Sequence, residues 1–431
     1  MSDFKKIYAS IYLKNEKAMK SLGDSLALNE SPVDLACKYS NDDVDGIIVF
    51  DQSPSDDDSA HERALDIIKE ICKKVDVPVI GAGNVKRMED IKKLLYAGCK
   101  KACLNFSKSG NIEILKEVSE KFGKDKIDIC YIDEAEIIDN FDLVNEFSEE
   151  LLYLSFGKKD VVISDAIRKP VIVHKDDSDN SVIDLLLKND SITGVSGNII
   201  NDCSEKVSTI KADCLDKGLN MYRLLPKFNW DELKKNSDGM VPVIVQDYRT
   251  DQVLMLAYMN EEAYNKTLRT GKMTYFSRSR NELWLKGETS SHYQFVMSLT
   301  ADCDLDTILA KVKQIGAACH TGSYSCFFNE IASKDYSEKN PQKVLDSVFE
   351  VIKDRKLNPR EGSYTNYLFN KGLDKILKKV GEEATEMVIA SKNPNPNEVV
   401  YEMSDFLYHM MVLMAEKNVS WEDVTDELSR R

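Results

Sequence analysis

The first 220 residues alternate short runs rich in β-branched residues with segments of helical pattern. Strands joined by helical crossovers form parallel sheets, and eight such strands can close into a barrel. This pattern predicts a (β/α)8 barrel over residues 1–222, and an open doubly wound sheet is the alternative. The eight strand-like runs are KIYASIYL, VDGIIVF, VPVIGAG, KKACLNF, KIDICYID, LLYLSF, PVIVH and SITGVSG.

Two further regions with different residue patterns follow the predicted barrel. Around residues 222–240 a proline and polar residues indicate a linker, and residues 223–333 contain strand-like runs such as MVPVIVQD, MTYFSR and HYQFVMSLT. These runs predict a small α+β domain. Beyond a second polar segment, ASKDYSEKNPQ, residues 341–431 repeat apolar positions at helical spacing without strand-like alternation. We expect an all-helical third domain there.

Composition limits the function classes. A net charge of −15 disfavours general binding to nucleic acid or acidic membranes, which requires a basic face. The N-terminus lacks the apolar core of a signal peptide, and no run approaches the ~18 apolar residues of a membrane span. Ten cysteines without an export signal indicate reduced thiols. We therefore expect a cytoplasmic protein that binds neither nucleic acid nor membrane.

The stretch ADCDLDTILAKVKQIGAACHTGSYSC, residues 301–326, has the composition of a metal site. Three thiols cannot pair among themselves, and three thiolates favour zinc over magnesium or calcium. A fourth, open position would make the site catalytic, because bound water then has a pKa of about 7. The three thiols belong to Cys303, Cys319 and Cys326.

Carboxylates flank the first of these cysteines. If residues 302–306 are extended, Asp302, Asp304 and Asp306 share one face and offer oxygens to a hard cation. His320, beside a predicted zinc ligand, can serve as proton shuttle or general base. The alternatives are buried cysteines, a structural zinc, or aspartates that cap a helix starting near Leu305.

Paired carboxylates also mark the helical region. GEEATE and YEMSD each place two acids three residues apart, which puts each pair on one helix face. Such carboxylates repel one another unless they surround a cation such as Mg²⁺. The alternative, two ordinary charged faces, is disfavoured because both pairs lie among apolar residues. The four acids are Glu383, Glu386, Glu402 and Asp405, and Glu382, offset by about 100°, is placed to act through water.

The segments VIVQDYRTDQVLMLAYMNEEA, TYFSRSRNELWLKGETSSH, DCDLD and ACHTGSYSC together resemble phosphoribosyl-AMP cyclohydrolase over residues 228–330. The resemblance implies zinc on the three cysteines across a dimer interface, magnesium on the three aspartates, and hydrolytic opening of the purine ring. Arg278 and Lys286 are then candidates for substrate binding, although a solvated basic hairpin is the alternative. His292 is either a second acid/base group or a simple strand histidine.

The segment NPREGSYTNYLFNKGLDKILKKVGEEATE resembles phosphoribosyl-ATP pyrophosphohydrolase, over residues 343–431. The resemblance implies that metal-activated water attacks the triphosphate and releases pyrophosphate, with Glu382 and Glu383 in catalytic roles. Candidates for phosphate binding are Lys371, Lys375, Lys378 and Lys379, against the alternative of a solvated surface. His409 is interpreted as a helix-packing residue.

The product of the helical domain, phosphoribosyl-AMP, would be the substrate of the preceding domain. This tandem order is similar to that of the bifunctional enzymes of histidine biosynthesis, which implies the second and third steps of that pathway. We therefore expect Zn²⁺ and Mg²⁺ as cofactors, phosphoribosyl-ATP and phosphoribosyl-AMP as substrates, and a homodimer.

Residues 4–105 resemble the (β/α)8 barrels of the same pathway, best in VPVIGAGNVKRMEDIKKLLYAGCKKACLNFS. Tyr12 stands where the resemblance implies a catalytic aspartate, whereas Asp133 matches the second acid. Gly81 and Gly83 keep part of one phosphate loop, but acidic HKDDSDN replaces the other. We expect a barrel without catalysis; the alternatives are a third pathway activity in the barrel, or a zinc-stabilised scaffold with no catalysis at all.

Overall fold

A computed structural model describes residues 4–158, 160–177, 181–222, 224–335 and 340–429. The chain forms two compact units, which divide between residues 329 and 330. The first unit contains the barrel and the small domain, and the second contains the helical domain.

Eight parallel strands form a closed barrel, as predicted, because the last strand pairs with the first. All eight coincide with the strand-like runs of the sequence. They are β1 Lys6–Lys14, β3 Gly46–Asp51, β4 Val79–Ala82, β5 Lys101–Asn105, β6 Ile127–Tyr131, β7 Leu151–Leu154, β8 Val171–His174 and β9 Ile192–Ser196, and the short β2, Lys17–Met19, pairs antiparallel with β1.

Helices surround this barrel. They are α1 Pro32–Asn41, α2 Asp58–Lys74, α3 Met88–Ala97, α4 Ser109–Phe122, α5 Glu134–Ile138, α6 Phe141–Phe147, α7 Val182–Lys188, α8 Asn198–Asn201 and α9 Val207–Asp216. Alternate strand residues belong to two separate cores. Tyr8 and Ile48 pack inside the barrel, whereas Ile7 and Ile47 pack between strands and helices. Burial on both faces explains why the strands read as continuous apolar runs.

The small domain has the predicted α+β fold. A four-stranded sheet has the order β11-β10-β15-β14, and a separate hairpin joins β12 to β13. The elements are β10 Val241–Asp247, β11 Val253–Met259, α10 Glu261–Thr270, β12 Thr274–Ser277, β13 Glu282–Leu285, β14 Gln294–Ala301 and β15 Ile308–Gln314.

The segment before this domain is not a free linker, so that interpretation is wrong for its second half. Trp230 and Leu233 lie in the core of the small domain. The hydroxyl of Tyr264 on α10 donates a 2.8 Å hydrogen bond to the carbonyl of Phe228. Residues 228–233 therefore belong to the small domain, whereas residue 223, the predicted boundary, lies outside the described residues.

The barrel meets the small domain through its Asp76, which lies in the loop before β4. Tyr248 and Lys313 of the small domain both contact the Asp76 carboxylate. Arg249 Nη2 lies 3.2 Å from Asp76 Oδ1. An acid from one domain is thus neutralised by two bases of the other.

The second unit is all-helical, as predicted. Its helices are α11 Pro341–Leu357, α12 Tyr364–Lys371, α13 Leu373–Ala390, α14 Pro396–Lys417 and α15 Trp421–Ser429. Asn395 caps α14 and Pro396 occupies its first turn, which explains why the NPNPN segment separates two helices. The polar segment before this unit includes residues 336–339, which lie outside the described residues. No helix in the described ranges has the length and apolarity to cross a membrane.

Candidate active sites

The acidic segment between β14 and β15 is a turn, so the extended conformation considered for residues 302–306 is wrong. Asp302 Oδ1 accepts hydrogen bonds from the backbone N–H groups of Asp306, at 3.0 Å, and Thr307, at 3.1 Å. No helix starts near Leu305, whose φ is +66°; strand β15 follows instead. The turn nevertheless gathers ligand oxygens of Asp302, Asp304 and Asp306 within 4.8 Å of one another.

Two of the three predicted zinc ligands lie together. The thiols of Cys319 and Cys326 are close enough for Cys319 to raise the pKa of Cys326, although burial is the larger cause, and Thr321 Oγ1 lies 3.1 Å from Cys319 Sγ. Hydrogen bonds from Thr321 hold the pKa of the Cys319 thiol below its usual value. Cys303 is exposed on the acidic turn. In the described ranges of a single chain, no cluster brings all three sulfurs within 4.8 Å.

The two predicted acid/base histidines differ in their surroundings. His320 Nδ1 lies 3.9 Å from Cys319 Sγ, so this ring is beside the thiol pair. His292 Nδ1 lies 3.0 Å from the carbonyl oxygen of Ala317, and its ring packs on Gly316. A Cβ at Gly316 would lie 2.6 Å from His292 Cδ2, so glycine is required for this contact. His292 thus packs on the segment that leads to Cys319.

The two predicted substrate contacts of this domain also differ. Lys286 is buried rather than solvated; burial lowers the pKa of its ammonium group, while the nearby Cys326 and Cys319 thiols oppose that shift. Arg278 is exposed, and its guanidinium lies 4.0 Å from the ring centroid of Tyr258. Lys286 thus lies beside the thiol pair. Arg278 lines an open cleft whose walls include the aromatic rings of Tyr258 and Trp284.

On the facing helices α13 and α14, three of the four predicted carboxylates converge. Ligand oxygens of Glu383, Glu402 and Asp405 lie within 4.8 Å of one another. Glu383 is only 3% exposed, whereas Glu386 is exposed at the edge of the group. Desolvation by neighbouring groups, followed by the negative charge of Glu383, raises the pKa of Glu386. Such crowding of like charges is the electrostatic setting that a divalent cation relieves.

Lysines of the same region fall into two groups. Lys379 Nζ lies 2.9 Å from Glu383 Oε1 and 3.1 Å from Glu382 Oε2, and its side chain is 25% exposed. Lys378 contacts Glu382 alone and is 65% exposed. Lys371 is exposed at the end of α12 and Lys375 is half-buried on α13; neither contacts the carboxylate group.

His409 packs between helices, as interpreted from the sequence, but it also contacts the carboxylate group. Its Nδ1 lies 2.8 Å from the carbonyl oxygen of Asp405, and its Nε2 lies 3.1 Å from the hydroxyl of Tyr364. Because a carbonyl only accepts, His409 Nδ1 carries a proton and donates it to Asp405. The same Nδ1 lies 3.7 Å from Glu383 Oε1, so His409 helps to fix that carboxylate.

At the C-terminal ends of the barrel strands, Tyr12 is buried at the position where the resemblance led us to expect an acid. Its hydroxyl lies 3.2 Å from His174 Nε2 and 3.2 Å from Asp176 Oδ1. The rings of Phe50 and His174 pack against Tyr12. Burial, reinforced by Asp176, raises the pKa of Tyr12 well above its usual value, so this position holds a neutral hydroxyl.

The other two predicted features of the barrel have structural roles. Asp133 caps α5 through a hydrogen bond from the backbone of Ala135. Gly83 has φ +83°, and a Cβ there would lie 2.2 Å from the carbonyl oxygen of Asp51. Residues 178–180 of the HKDDSDN segment lie outside the described residues.

Two acidic clusters on separate domains, one of them on the same small domain as a thiol pair, are the candidate metal sites of a multidomain protein, and the family models identify its class as a hydrolase. Family models support this class domain by domain. Phosphoribosyl-AMP cyclohydrolase matches residues 255–328, phosphoribosyl-ATP pyrophosphohydrolase matches residues 345–431, and the family described as histidine biosynthesis protein matches residues 6–149.

Curated relatives carry the first two of these domains. The chain is 53% identical over 209 residues to the histidine biosynthesis bifunctional protein HisIE of Thermoanaerobacter pseudethanolicus, covering 46% of this chain and 97% of that protein. It is 56% identical over 200 residues to HisIE of Caldanaerobacter subterraneus (46% and 96% covered) and 48% identical over 201 residues to HisIE of Bacillus subtilis (47% and 95% covered). The chain belongs to the HisIE family and is a bifunctional hydrolase, with a barrel that lies outside these matches.

Proposed function

We propose that the chain catalyses two consecutive hydrolyses of histidine biosynthesis. The helical domain converts phosphoribosyl-ATP to phosphoribosyl-AMP and pyrophosphate, and the small domain then opens the adenine ring of phosphoribosyl-AMP. The observation that carries this proposal is the convergence of Glu383, Glu402 and Asp405 in a domain of the pyrophosphohydrolase family. We assign the functional domains to residues 1–222, 223–333 and 341–431.

In the helical domain, the residues present fit a magnesium ion. Glu383, Glu386, Glu402 and Asp405 would hold it, since hard carboxylate oxygens are its preferred protein ligands. A bound ion supplies charge neutralisation on the triphosphate and acidifies water. Glu382, with Glu383, positions that water and accepts its proton. Substrate phosphates are bound by Lys371 and Lys375, which lie outside the carboxylate group and are free to face an anion.

In the small domain, two sulfurs and three carboxylates fit a soft and a hard cation. Cys303, Cys319 and Cys326 would hold zinc, which acidifies water for attack on the purine ring. His320 takes up the proton of that water, and His292 orients the segment before Cys319 or acts as a second acid/base group. The carboxylates that would hold magnesium are those of Asp302, Asp304 and Asp306. Lys286 and Arg278 bind the substrate.

We further propose that the zinc site is completed in a homodimer. Support comes from the separation of Cys303 from the Cys319–Cys326 pair within one chain. Four large apolar side chains of the helical domain are also 60–66% exposed, as expected for an interface between copies. They are Val388, Ile389, Val400 and Tyr401.

Complementation tests the shared site. Cys303→Ser and Cys319→Ser chains should each lose zinc and ring opening as homodimers. After the two are unfolded and refolded together, heterodimers contain one intact site, so about a quarter of the wild-type zinc content should return. Recovery of neither zinc nor ring opening would show that each site is built within a single chain.

For the barrel we propose a scaffold without catalysis. Two observations support this proposal. Tyr12, a buried and neutral hydroxyl, stands where a catalytic acid was expected, and the carboxylate of Asp133 caps a helix. The alternative, a third pathway activity, is favoured by the family match over residues 6–149. Incubation of the full chain with the substrates of the pathway's isomerase and of its cyclase distinguishes the two. Turnover of either substrate would establish the alternative.

The two hydrolyses are tested together with phosphoribosyl-ATP as substrate. Pyrophosphate release should require Mg²⁺, and the ultraviolet change of ring opening should follow it and require zinc. If zinc-loaded protein releases pyrophosphate but does not open the ring, the chain has only the first activity. If it opens the ring of supplied phosphoribosyl-AMP but releases no pyrophosphate from phosphoribosyl-ATP, the chain has only the second.

A further inference from the structure

Lys379 forms an ion pair with one of the converging carboxylates on α13 and α14. Its Nζ lies 2.9 Å from Glu383 Oε1, an oxygen of the cluster that we assign to magnesium. We propose that Lys379 serves as an internal counter-ion that the metal displaces, and that the displaced ammonium then binds the polyphosphate of the substrate. This inference rests on the proposed metal site.

Helix geometry places Lys379 at this position. Lys379 precedes Glu382 by three residues and Glu383 by four on α13, so both carboxylates lie one turn further along the same face. Its ammonium therefore bridges an exposed acid, Glu382, and a buried acid, Glu383. In both contacts the Lys379 ammonium donates and the carboxylate accepts.

Charge balance explains why a cation is needed at this point. Glu383 is 3% exposed and faces Glu402 and Asp405 across the helix pair. Three neighbouring carboxylates in a partly buried setting repel one another. The other groups beside Glu383 are the imidazole of His409 and the hydroxyl of Tyr364, whose pKa is raised chiefly by burial. Lys379 is the cation that the described structure places on Glu383.

Lys379 and a metal ion compete for this position. Magnesium binds carboxylate oxygens at about 2.0–2.1 Å, so an ion on Glu383 would lie within roughly 5 Å of Nζ in its present place. Two cations at such a separation repel strongly in a partly buried site. Metal binding therefore releases Lys379 from Glu383 while its contact with the exposed Glu382 remains available.

The released lysine side chain can bind the phosphates of the substrate. A polyphosphate on the metal leaves several oxygens uncoordinated, and a lysine on a flexible stem binds such oxygens as a point charge. Lys379 is 25% exposed, so its ammonium can turn outward without crossing a packed core. The lysine would thus stabilise the empty site and recognise the phosphates of the occupied one.

Metal binding in the absence of substrate tests the displacement. The probe is Mn²⁺, which shares the oxygen preference of Mg²⁺, counted by its free-ion electron paramagnetic resonance signal. Asp304→Asn and Asp306→Asn are introduced into the full chain to remove the other acidic cluster. In that background, Lys379→Met should bind Mn²⁺ roughly three- to tenfold more tightly, because a competing ion pair is lost. Lys378→Met, the matched control, removes an equal charge from the neighbouring residue and should change affinity less than twofold.

Inorganic pyrophosphate is the second probe. With Mn²⁺ saturating, Lys379→Met should bind it at least about tenfold more weakly, because a direct charge-assisted contact is lost. Opposite effects on metal and pyrophosphate are the signature of displacement; a merely structural residue would weaken both. Equal or weaker Mn²⁺ binding in Lys379→Met, or an equal gain in Lys378→Met, would overturn the inference. The metal site itself is tested separately with Glu402→Gln, introduced into the same full-chain background. If this change leaves Mn²⁺ affinity unchanged, the proposed metal site is wrong, whatever Lys379 does.

Discussion

Asp76 of the barrel and Arg249 of the small domain form an ion pair of 3.2 Å. Tyr248 and Lys313 contact the same carboxylate, so one barrel residue anchors three side chains of the neighbouring domain. Asp76 precedes β4 and thus lies at the N-terminal end of the barrel strands. Active sites of such barrels lie at the opposite end. The join between the domains is therefore structural, and it fixes the small domain on the barrel without using the end that contains Tyr12.

Replacing Asp76 should uncouple the two domains. Asp76→Ala leaves Lys313 and Arg249 without their partner, and because Arg249 is 48% exposed, losing these charge-assisted contacts should cost about 1.5–3 kcal/mol. Urea unfolding should show a lower free energy of unfolding and two separated transitions for the barrel and the small domain. Asp66→Ala, at an exposed position on α2, is the control and should change stability by about 0.5 kcal/mol or less. Equal effects of the two variants would show that the Asp76 contacts are dispensable.

The same residue predicts a pH dependence. Burial alone would raise the pKa of Asp76, but hydrogen bonds from Lys313 and Tyr248 outweigh it and hold the pKa below its usual value. A carboxyl with a depressed pKa in the folded state contributes stability above its unfolded pKa of about 3.9 and loses it as the pH falls through the folded value. The difference in stability between wild type and Asp76→Asn should be constant from pH 5 to 7 and shrink below about pH 4. A difference that grows on acidification would contradict this sign.

Gly83 tests the backbone of the barrel. Its φ is +83°, and a Cβ would lie 2.2 Å from the carbonyl oxygen of Asp51 on the neighbouring strand. Gly83→Ala should therefore destabilise the barrel by about 2–4 kcal/mol, through strain and displacement of β3. Gly110→Ala on α4 is the matched control, because nothing lies within 4 Å of its Cβ. That change should be neutral or stabilise the protein by about 0.5–1 kcal/mol in thermal unfolding.

Much of the fold could be predicted from the sequence, because local patterns reflect burial. All eight barrel strands show as apolar runs, since parallel strands are buried on both faces. Strand β15 was missed: the alternation of its buried Ile308, Ala310 and Val312 with the half-buried Leu309, Lys311 and Lys313 was hidden within a segment selected for its metal ligands. Trp230 and Leu233 were assigned to a linker because two buried residues in a polar segment carry no periodic signal.

The candidate sites were predicted where spacing within one helix determines geometry. The i,i+3 pairs on α13 and α14 bring three acids together, as the periodicity requires. Spacing could not reveal the turn at Asp302, which depends on backbone hydrogen bonds to its own side chain. Spacing does separate Lys379 from Lys378, since Lys379 precedes Glu383 by four residues and Lys378 precedes it by five; what spacing could not show is the burial of Glu383.

Cys319→Ser should separate the two activities. A serine hydroxyl is a poor zinc ligand compared with a thiolate, so bound zinc and ring opening of phosphoribosyl-AMP should both be lost. Pyrophosphate release should stay near the wild-type rate because its residues lie in the other unit. Cys203→Ser, in the barrel, should change neither zinc content nor ring opening. Equal loss of both activities would assign the thiol pair a structural role.

Removal of a helical carboxylate is the most direct test of the pyrophosphohydrolase site. Glu383→Gln removes one charge of the converging group and should lower pyrophosphate release by orders of magnitude, with little recovery at high Mg²⁺. Glu386→Gln should also lower it strongly, but excess Mg²⁺ should restore more activity, because Glu386 lies at the exposed edge of the group. Both variants keep the size of the side chain, so the domain should stay folded. Relief of like-charge repulsion in the metal-free protein should leave the stability of Glu386→Gln unchanged or slightly increased.

Ring opening of supplied phosphoribosyl-AMP is the internal control for these two variants, since it takes place in the other unit. It should continue at the wild-type rate in both, and circular dichroism should confirm an intact helical content. Thr385→Ala, on the same helix between the two acids, keeps the charge pattern and should retain pyrophosphate release. If Glu383→Gln releases pyrophosphate as fast as the wild type at low Mg²⁺, the converging carboxylates are only a charged helix face and the metal assignment fails.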